Sequence, residues 1–521
     1  MIQISIISIL FAGGVLAWLS EQFRPDGSRW VSLASIVACL LLLMNFNGNV
    51  SAALSGTSVA AQAQWWELVS AEWIPRFGVN LILGLDGLSY LLILLTLLLG
   101  IAGVLASWKE IHDRVGFFHF NYLWTLAGIV GVFTALDLFL FFFFWEVMLI
   151  PMLFLIAIWG HGNRIYAAIK FFIFTQASSL LMLFAIVALV YFNYQNTGVV
   201  TFDYRQLLDH GLAPTTAFWL MLGFFIAFAV KLPAVPLHTW LPDAHTQAPT
   251  AGSIILAAIL LKTGAYGLIR FMLPIFPEAS AAFAPVAMAI GAISILYGAK
   301  LAFAQSDMKR LVAYSSVSHM GFVLLGIFAL NTLAIQGAIM QMIAHGLSTA
   351  GLFALVGMIQ ERIHTREMDR MGGLWIKAPR MAAIALFFAV ASLGLPGLGN
   401  FIAEFTVLLG AFPTNRLATV LAAIGLIGAA VYALIMMQKV FFGKTRDQQA
   451  DEPQAFADVT PRESVPLLAM ALLLVALGLL PKLVFNLSAP SAETIAQAAQ
   501  SVLPSSRLAD TGATPALRQW P

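Results

Sequence analysis

The sequence predicts an all-α polytopic membrane protein with about 14 transmembrane helices, two of them broken. Three observations lead there. Of 521 residues, 60% are hydrophobic and only 10% charged, with a mean hydropathy of +0.89, whereas soluble domains carry about 25% charged residues. Apolar stretches recur at lengths suited to the ~20 residues that cross the hydrocarbon layer. Lysine and arginine collect in alternate connections between those stretches, as topology requires.

The first three helices are expected near 2–20, 30–46 and 83–107, with a Trp-rich, partly polar loop at 51–79. Met1–Ser20 has no basic leader region and reads as a retained helix, not a signal peptide. Five helices follow near 116–134, 137–159, 164–192, 216–243 and 250–272. Five more fall near 280–302, 309–330, 333–360, 378–411 and 417–442, and a last one near 465–486. The tail from Ser488 is richer in Ala, Ser and Pro and is expected outside the bilayer.

One set of connections holds Arg24, Arg29, Lys109, Arg114, Arg164, Lys309 and Arg310, then Arg362, Arg366, Arg370, Lys377 and Arg380, and finally Lys444, Arg446 and Arg462. The opposite set holds only Arg76, Arg205, Arg270 and Arg416 before the tail. The positive-inside rule then places the first set in the cytoplasm and both termini outside.

Two stretches are too long for simple helices. Residues 216–243 contain Lys231-Leu-Pro-Ala-Val-Pro236, and residues 378–411 contain Leu393-Gly-Leu-Pro-Gly-Leu-Gly-Asn400. Proline removes an amide donor and glycine loosens the chain, so both helices should break. The spacing suggests two five-helix repeats of inverted topology, 116–272 and 280–442, between an N-terminal segment 1–115 and a C-terminal segment 443–521.

Four ionisable residues lie near the middle of apolar stretches: Glu146, Lys231, Lys262 and Glu404. Each costs roughly 2.5–3.5 kcal/mol there on insertion scales, so each needs a partner, water or a purpose. Lys231 precedes the first Pro break and Glu404 follows the second, which points to ion or proton translocation. An ionised Glu146 requires a nearby cation, and Lys231 is the candidate; the alternative is a pair that only locks two helices. Lys262 lies too deep to reach the interface and can exchange protons as a partner moves, or simply hydrogen-bond to carbonyls. Glu404 suits an exit-side group; alternatively it stays protonated as a donor.

Polar stripes connect these positions. Ser315, Ser318 and His319 share a helix face, as do His345, Ser348 and Thr349. A histidine on each stripe suits a relay at near-neutral pH. Thr175, Gln176, Ser178 and Ser179 serve as hydration or interhelical bonding, and Lys170 is expected to snorkel. Asp307, Lys309 and Arg310 read as surface pairs opening a helix, or the lining of an inner proton entrance. His238, Asp243 and His245 read as caps rather than as metal ligands.

Other chemistry is thinly supported. Cys39 is the only cysteine, which excludes an internal disulfide and a thiolate-held Fe–S cluster in this chain. A net charge of +2 does not suggest a nucleic-acid surface. No dinucleotide fingerprint or phosphate loop stands in a strand–helix setting.

Lys231-Leu-Pro-Ala-Val-Pro-Leu-His-Thr-Trp-Leu-Pro-Asp-Ala-His-Thr-Gln-Ala-Pro-Thr-Ala-Gly-Ser253 resembles the proton-pumping antiporter-like family, which includes large membrane subunits of respiratory complex I (NADH:quinone oxidoreductase) and subunits of multisubunit Na⁺/H⁺ antiporters. Phe144-Trp-Glu146-Val-Met-Leu-Ile-Pro151, Leu261-Lys262-Thr-Gly-Ala-Tyr-Gly267 and the run from Ser306 to Gly321 match as well. The resemblance implies Glu146–Lys231 as a coupling pair, Lys262 as central relay and Glu404 as exit-side group, where L- and N-type members typically carry lysine. It implies membrane-arm partners, among them L-like and N-like neighbours, and the lipid bilayer. FMN, Fe–S clusters and quinone are implied in partner subunits, with no cofactor in this chain. A multisubunit Na⁺/H⁺ antiporter or a membrane-bound hydrogenase remains the alternative assembly.

Overall fold

The computed structural model describes residues 1–24, 26–45, 65–208, 211–443 and 456–500. The helices α1 (Ile2–Ser20) and α2 (Gly27–Met44) lead into a β-hairpin, β1 (Glu67–Ile74) against β2 (Val79–Leu85). Then come α3 (Gly87–Ala106), α4 (Val115–Thr134), α5 (Leu138–Trp159), α6 (Arg164–Thr197) and α7 (Pro214–Lys231). A short α8 (Trp240–Gln247) precedes α9 (Thr250–Ile275), α10 (Pro277–Phe303), α11 (Met308–Phe328) and α12 (Thr332–Ile363). Next are α13 (Pro379–Ser392), α14 (Gly399–Ala411), α15 (Arg416–Val440), α16 (Pro461–Leu479) and α17 (Lys482–Gln500).

Among the described residues, 13 helices are long and apolar enough to cross a membrane, and α13 and α14 are shorter apolar helices. The expected polytopic helical fold therefore holds. The hairpin departs from the purely helical expectation. Its polar residues hid the alternation of apolar side chains, and only the second strand turns a nearly continuous buried face inward. The third helix accordingly starts at Gly87, not 83, because Asp86 stops the strand and caps the helix through Ser89 N, at 2.9 Å. Part of the expected 51–79 loop, and Lys444 and Arg446, lie outside the described residues.

Helix starts follow local chemistry. Asp137, Asp307, Asn331 and Asn415 each accept backbone N–H bonds from the first turn that follows. The tail does not simply trail away: α17 folds back across α3 and α12, with Leu487 O lying against Gly87, where no side chain fits.

Both predicted breaks are present. The first separates α7 from α8, and its freed Val235 N–H donates to Ser294 Oγ at 3.0 Å. The second separates α13 from α14, where Gly394 (φ +81°) and Gly397 (φ +95°) adopt conformations closed to side-chain-bearing residues. Helix α9 is wholly enclosed, and α11 and α12 nearly so, while α6 faces outward along much of its length. A fully enclosed α9 is what allows a lysine at its middle to avoid lipid. Its Gly264 lets it approach α7 closely, since an added Cβ would stand 2.6 Å from Phe228 O and 3.2 Å from Lys231 Cβ.

Candidate proton path through the helix bundle

Four helices converge at the centre. Lys262 Nζ, on α9, donates to Ala257 O at 2.7 Å and lies 2.8 Å from His345 Nδ1 on α12. The Ala257 carbonyl belongs to a π-helical turn, Leu256–Leu260, whose widened pitch interrupts the ordinary i→i−4 pairing. A second π-helical turn, Leu268–Met272, follows. The His345 and His319 rings lie 5.4 Å apart between centroids. His319 Nδ1, on α11, is 2.8 Å from Glu404 Oε1 on α14.

All four of these side chains are at most 2% exposed. Lys262, His345, His319 and Glu404 thus form a buried series of titratable groups, hydrogen-bonded at either end and joined in the middle by neighbouring rings. Around it, His319 Nε2 meets Ser392 Oγ at 3.2 Å and the Tyr432 hydroxyl at 3.0 Å. Gln341 Nε2 donates to Glu404 Oε1 at 2.9 Å. Glu404 Oε2 has no hydrogen-bond partner among the described residues and lies near Gly394 in the second break.

The other predicted pair is looser. Glu146, on α5, accepts from Ser179 Oγ of α6 at 2.6 Å. Lys231, at the end of α7, is fully buried, and its Nζ has no hydrogen-bond partner among the described residues. It lies 5.1 Å from the Trp145 ring centroid and 5.7 Å from that of Phe171. Cation–π contacts of this kind supply up to ~2 kcal/mol or more when desolvated, short of a hydrogen-bonded ion pair. Glu146 and Lys231 interact through their fields without an ion pair within 4 Å among the described residues.

Several expectations need correction. The Lys170 ammonium, expected to snorkel, bonds Asp243 of α8 at 2.6 Å, and Arg310 approaches the same carboxylate at 3.5 Å. Lys309 is not a surface residue; it is fully buried and donates to Ala248 O at 2.5 Å. The hydroxyls of Ser318 and Thr349 bond backbone carbonyls, Ile295 O and His345 O, so they tie helices and turns instead of bridging the two histidines. Of the α6 hydroxyls, Ser179 alone reaches a candidate site residue, while Thr175 and Ser178 bond their own helix. Sequence reading missed Gln341, Ser392 and Tyr432. Gln341 stands one helical turn before His345, and that i, i+4 relation was the available signal; Ser392 and Tyr432 arrive from helices whose packing no spacing reveals.

At the far end of α9, Arg270 bonds Asp86 at 2.5 Å and lies over the Trp65 ring, while Ser491 of α17 donates to the same carboxylate at 2.8 Å. Burial by itself would raise the Asp86 carboxyl; the Arg270 charge, with bonds from Arg270, Ser89 and Ser491, outweighs it and holds the group below its ordinary value.

Residues 135–431 match the model of the family described as NADH:quinone oxidoreductase/Mrp antiporter, transmembrane. The chain belongs to this family. It is 54% identical to NADH-quinone oxidoreductase subunit M of Pseudomonas aeruginosa over 498 residues, covering 94% of this chain and 97% of that one. It is also 54% identical to the subunit M of Escherichia coli (strain K12) over 488 residues, covering 93% and 95%. Among solved structures, a chain of respiratory complex I from Thermus thermophilus with bound NADH superposes with a TM-score of 0.84 at 32% identity, covering 96% of this chain and 100% of that one. Membership in the NADH:quinone oxidoreductase/Mrp antiporter family agrees with the resemblance read from the motifs around Lys231, Lys262 and Glu146.

Proposed function

We propose that the chain is a proton-translocating membrane-arm subunit of a bacterial NADH:quinone oxidoreductase, working beside L-like and N-like subunits. Quinone reduction takes place in partner subunits, and this chain couples it to proton movement. The reading rests on the buried series Lys262–His345–His319–Glu404 in a chain 54% identical to subunit M relatives over nearly its whole length. The excess of lysine and arginine on one set of loops supports a cytoplasmic location for that set, and a periplasmic location for both termini in the inner membrane. We assign residues 116–272 and 280–442 to the two inverted repeats, each bringing one broken helix to the centre.

The division of labour follows from the contacts. The Lys231 ammonium, held only by aromatic faces, is free to move toward or away from Glu146 when a neighbouring subunit disturbs α5 or α6. Its movement changes the field at Lys262 and sends a proton toward His345. His345 and His319 pass it on, and Glu404 receives it beside the second break. His319 holds its place between Glu404 and the pair Ser392–Tyr432, so its two ring nitrogens face donor and acceptor sides at once.

The test is Lys262→Ala in the assembled complex in membrane vesicles. NADH-driven proton uptake per electron pair should fall well below the parent's, while electron transfer from NADH to an artificial acceptor persists. Parental uptake in a fully assembled variant rules the reading out.

A further inference from the structure

Two connections of the basic set, the one between α3 and α4 and the one between α5 and α6, meet at a polar cleft of about 750 Å³. Arg114 and Arg164 line it, each beside a helix N-terminus: Arg114 immediately precedes α4, and Arg164 opens α6. Aligned peptide dipoles leave partial positive charge at both of those ends. The two side chains are exposed, and neither has an ion-pair partner among the described residues. Arg164 Nη1 donates to Ile158 O at 2.8 Å and Gly160 O at 3.3 Å, which fixes the guanidinium on the α5–α6 connection.

The surroundings reinforce this positive charge. The His161 ring, in the same lining, is held down at about 4 by burial and by the charges of Lys309, Arg366 and Arg164. Two carboxylates oppose it. Glu110 accepts Thr250 N–H with both oxygens, at 3.1 and 3.0 Å, and burial raises its carboxyl above the ordinary value, which weakens its charge. Asp113 is exposed, and its backbone carbonyl accepts Trp159 Nε1–H at 2.7 Å.

Apolar surface continues from the cleft. Trp159 lines it, with its ring 5.9 Å from that of Phe117, which in turn is 6.2 Å from Phe154 on the outward side of α5. Tryptophan is enriched where a bilayer's headgroups begin. Ile165, Tyr166 and Ile169 follow Arg164 along α6, each more than half exposed. A free anion would use the cations and leave this apolar surface idle, whereas a diacyl phosphate ester uses both.

We propose that the cleft binds an anionic phospholipid, its phosphate against Arg114 and Arg164 and its acyl chains along α5 and α6 past Phe154, Ile165 and Ile169. Basic pockets between membrane helices on the cytoplasmic side take acidic headgroups by this combination of charge and apolar wall. The lipid would tie the α3–α4 connection to the end of α5, the helix that carries Glu146. Lipid binding here goes beyond the proposed function and is read without proton uptake, so either can fail alone.

The test places the assembled complex in phosphatidylcholine vesicles holding a small fraction of phosphatidylglycerol with a photo-crosslinking headgroup, and maps adducts by peptide mass spectrometry. Adducts should fall on residues 110–114 and 157–164. Unlabelled phosphatidylglycerol should displace the probe, whereas added phosphatidylcholine or millimolar inorganic phosphate should not. One cation facing an anionic headgroup is worth roughly fivefold in affinity, so Arg114→Gln should weaken labelling by about that factor. Asp113→Asn removes an opposing charge and should strengthen it, which decides the matter if Arg114→Gln prevents assembly. Equal labelling by a matched phosphatidylcholine probe, or unchanged affinity in the assembled variants, overturns the assignment. Displacement by inorganic phosphate also overturns it, in favour of a free anion.

Discussion

The histidine at the middle of the series offers a graded test, because its Nε2 side is served by two hydroxyls instead of one. With Nδ1–H donating to Glu404 at 2.8 Å, Nε2 accepts from Tyr432 at 3.0 Å and Ser392 at 3.2 Å. Tyr432→Phe keeps the ring and removes one donor; Ser392→Ala removes the other. Each single change leaves Nε2 with a partner, and a net hydrogen bond is worth about 0.5–1.5 kcal/mol, so proton transfer should slow by roughly 2- to 12-fold. The double variant strands a nitrogen that is otherwise enclosed, adding a desolvation cost of about 1–3 kcal/mol. Its effect should therefore exceed the product of the two single effects. The assay is NADH-driven proton uptake in vesicles, with electron transfer to an artificial acceptor as the control for assembly. Strictly multiplicative behaviour, or parental uptake in the double variant, would refute a transferring role for His319.

Two further outcomes concern the scaffold. Asp86→Asn leaves Arg270 buried without a counter-charge, and breaking a buried pair costs about 3–5 kcal/mol, so the melting temperature of the purified complex should drop. Because the folded Asp86 carboxyl is held below its ordinary value, its contribution is present above the unfolded pKa and disappears as pH falls below about 4; Asp86→Asn should flatten that acid limb of the stability curve, and an unchanged curve would contradict the assignment. Gly264→Ala puts a methyl 2.6 Å from Phe228 O, and forced overpacking of this kind costs about 1–3 kcal/mol, so assembled complex should decrease on native gels.

How much of this was legible in the sequence depends on the range of each interaction. Helix number and both breaks could be read locally, because apolar length, Pro and Gly act within one or two turns. Glu146, Lys231, Lys262 and Glu404 stood out because ionised groups are rare in apolar stretches, and the two histidines because each lay on a polar stripe. The hairpin was hidden by its small size and polar content. Lys309 was misplaced because a lysine near a helix end looks the same in sequence whether it meets water or a carbonyl 61 residues away, as it does.

The two halves of the bundle solve different physical problems, and their contacts differ accordingly. Between Lys262 and Glu404, the proposed transfer needs groups held close, and Gln341, Ser392 and Tyr432 bond the Glu404–His319 end of the series. Around Glu146 and Lys231, coupling needs a charge that can move, since a tightly bonded ion pair in low dielectric would resist separation by several kcal/mol. Aromatic faces around Lys231 and one serine on Glu146 supply attraction without locking either group. Under the proposed function, a loosely held charge beside this series would let a small helix displacement act on Lys262 while the Lys262–His345 and His319–Glu404 distances stay fixed.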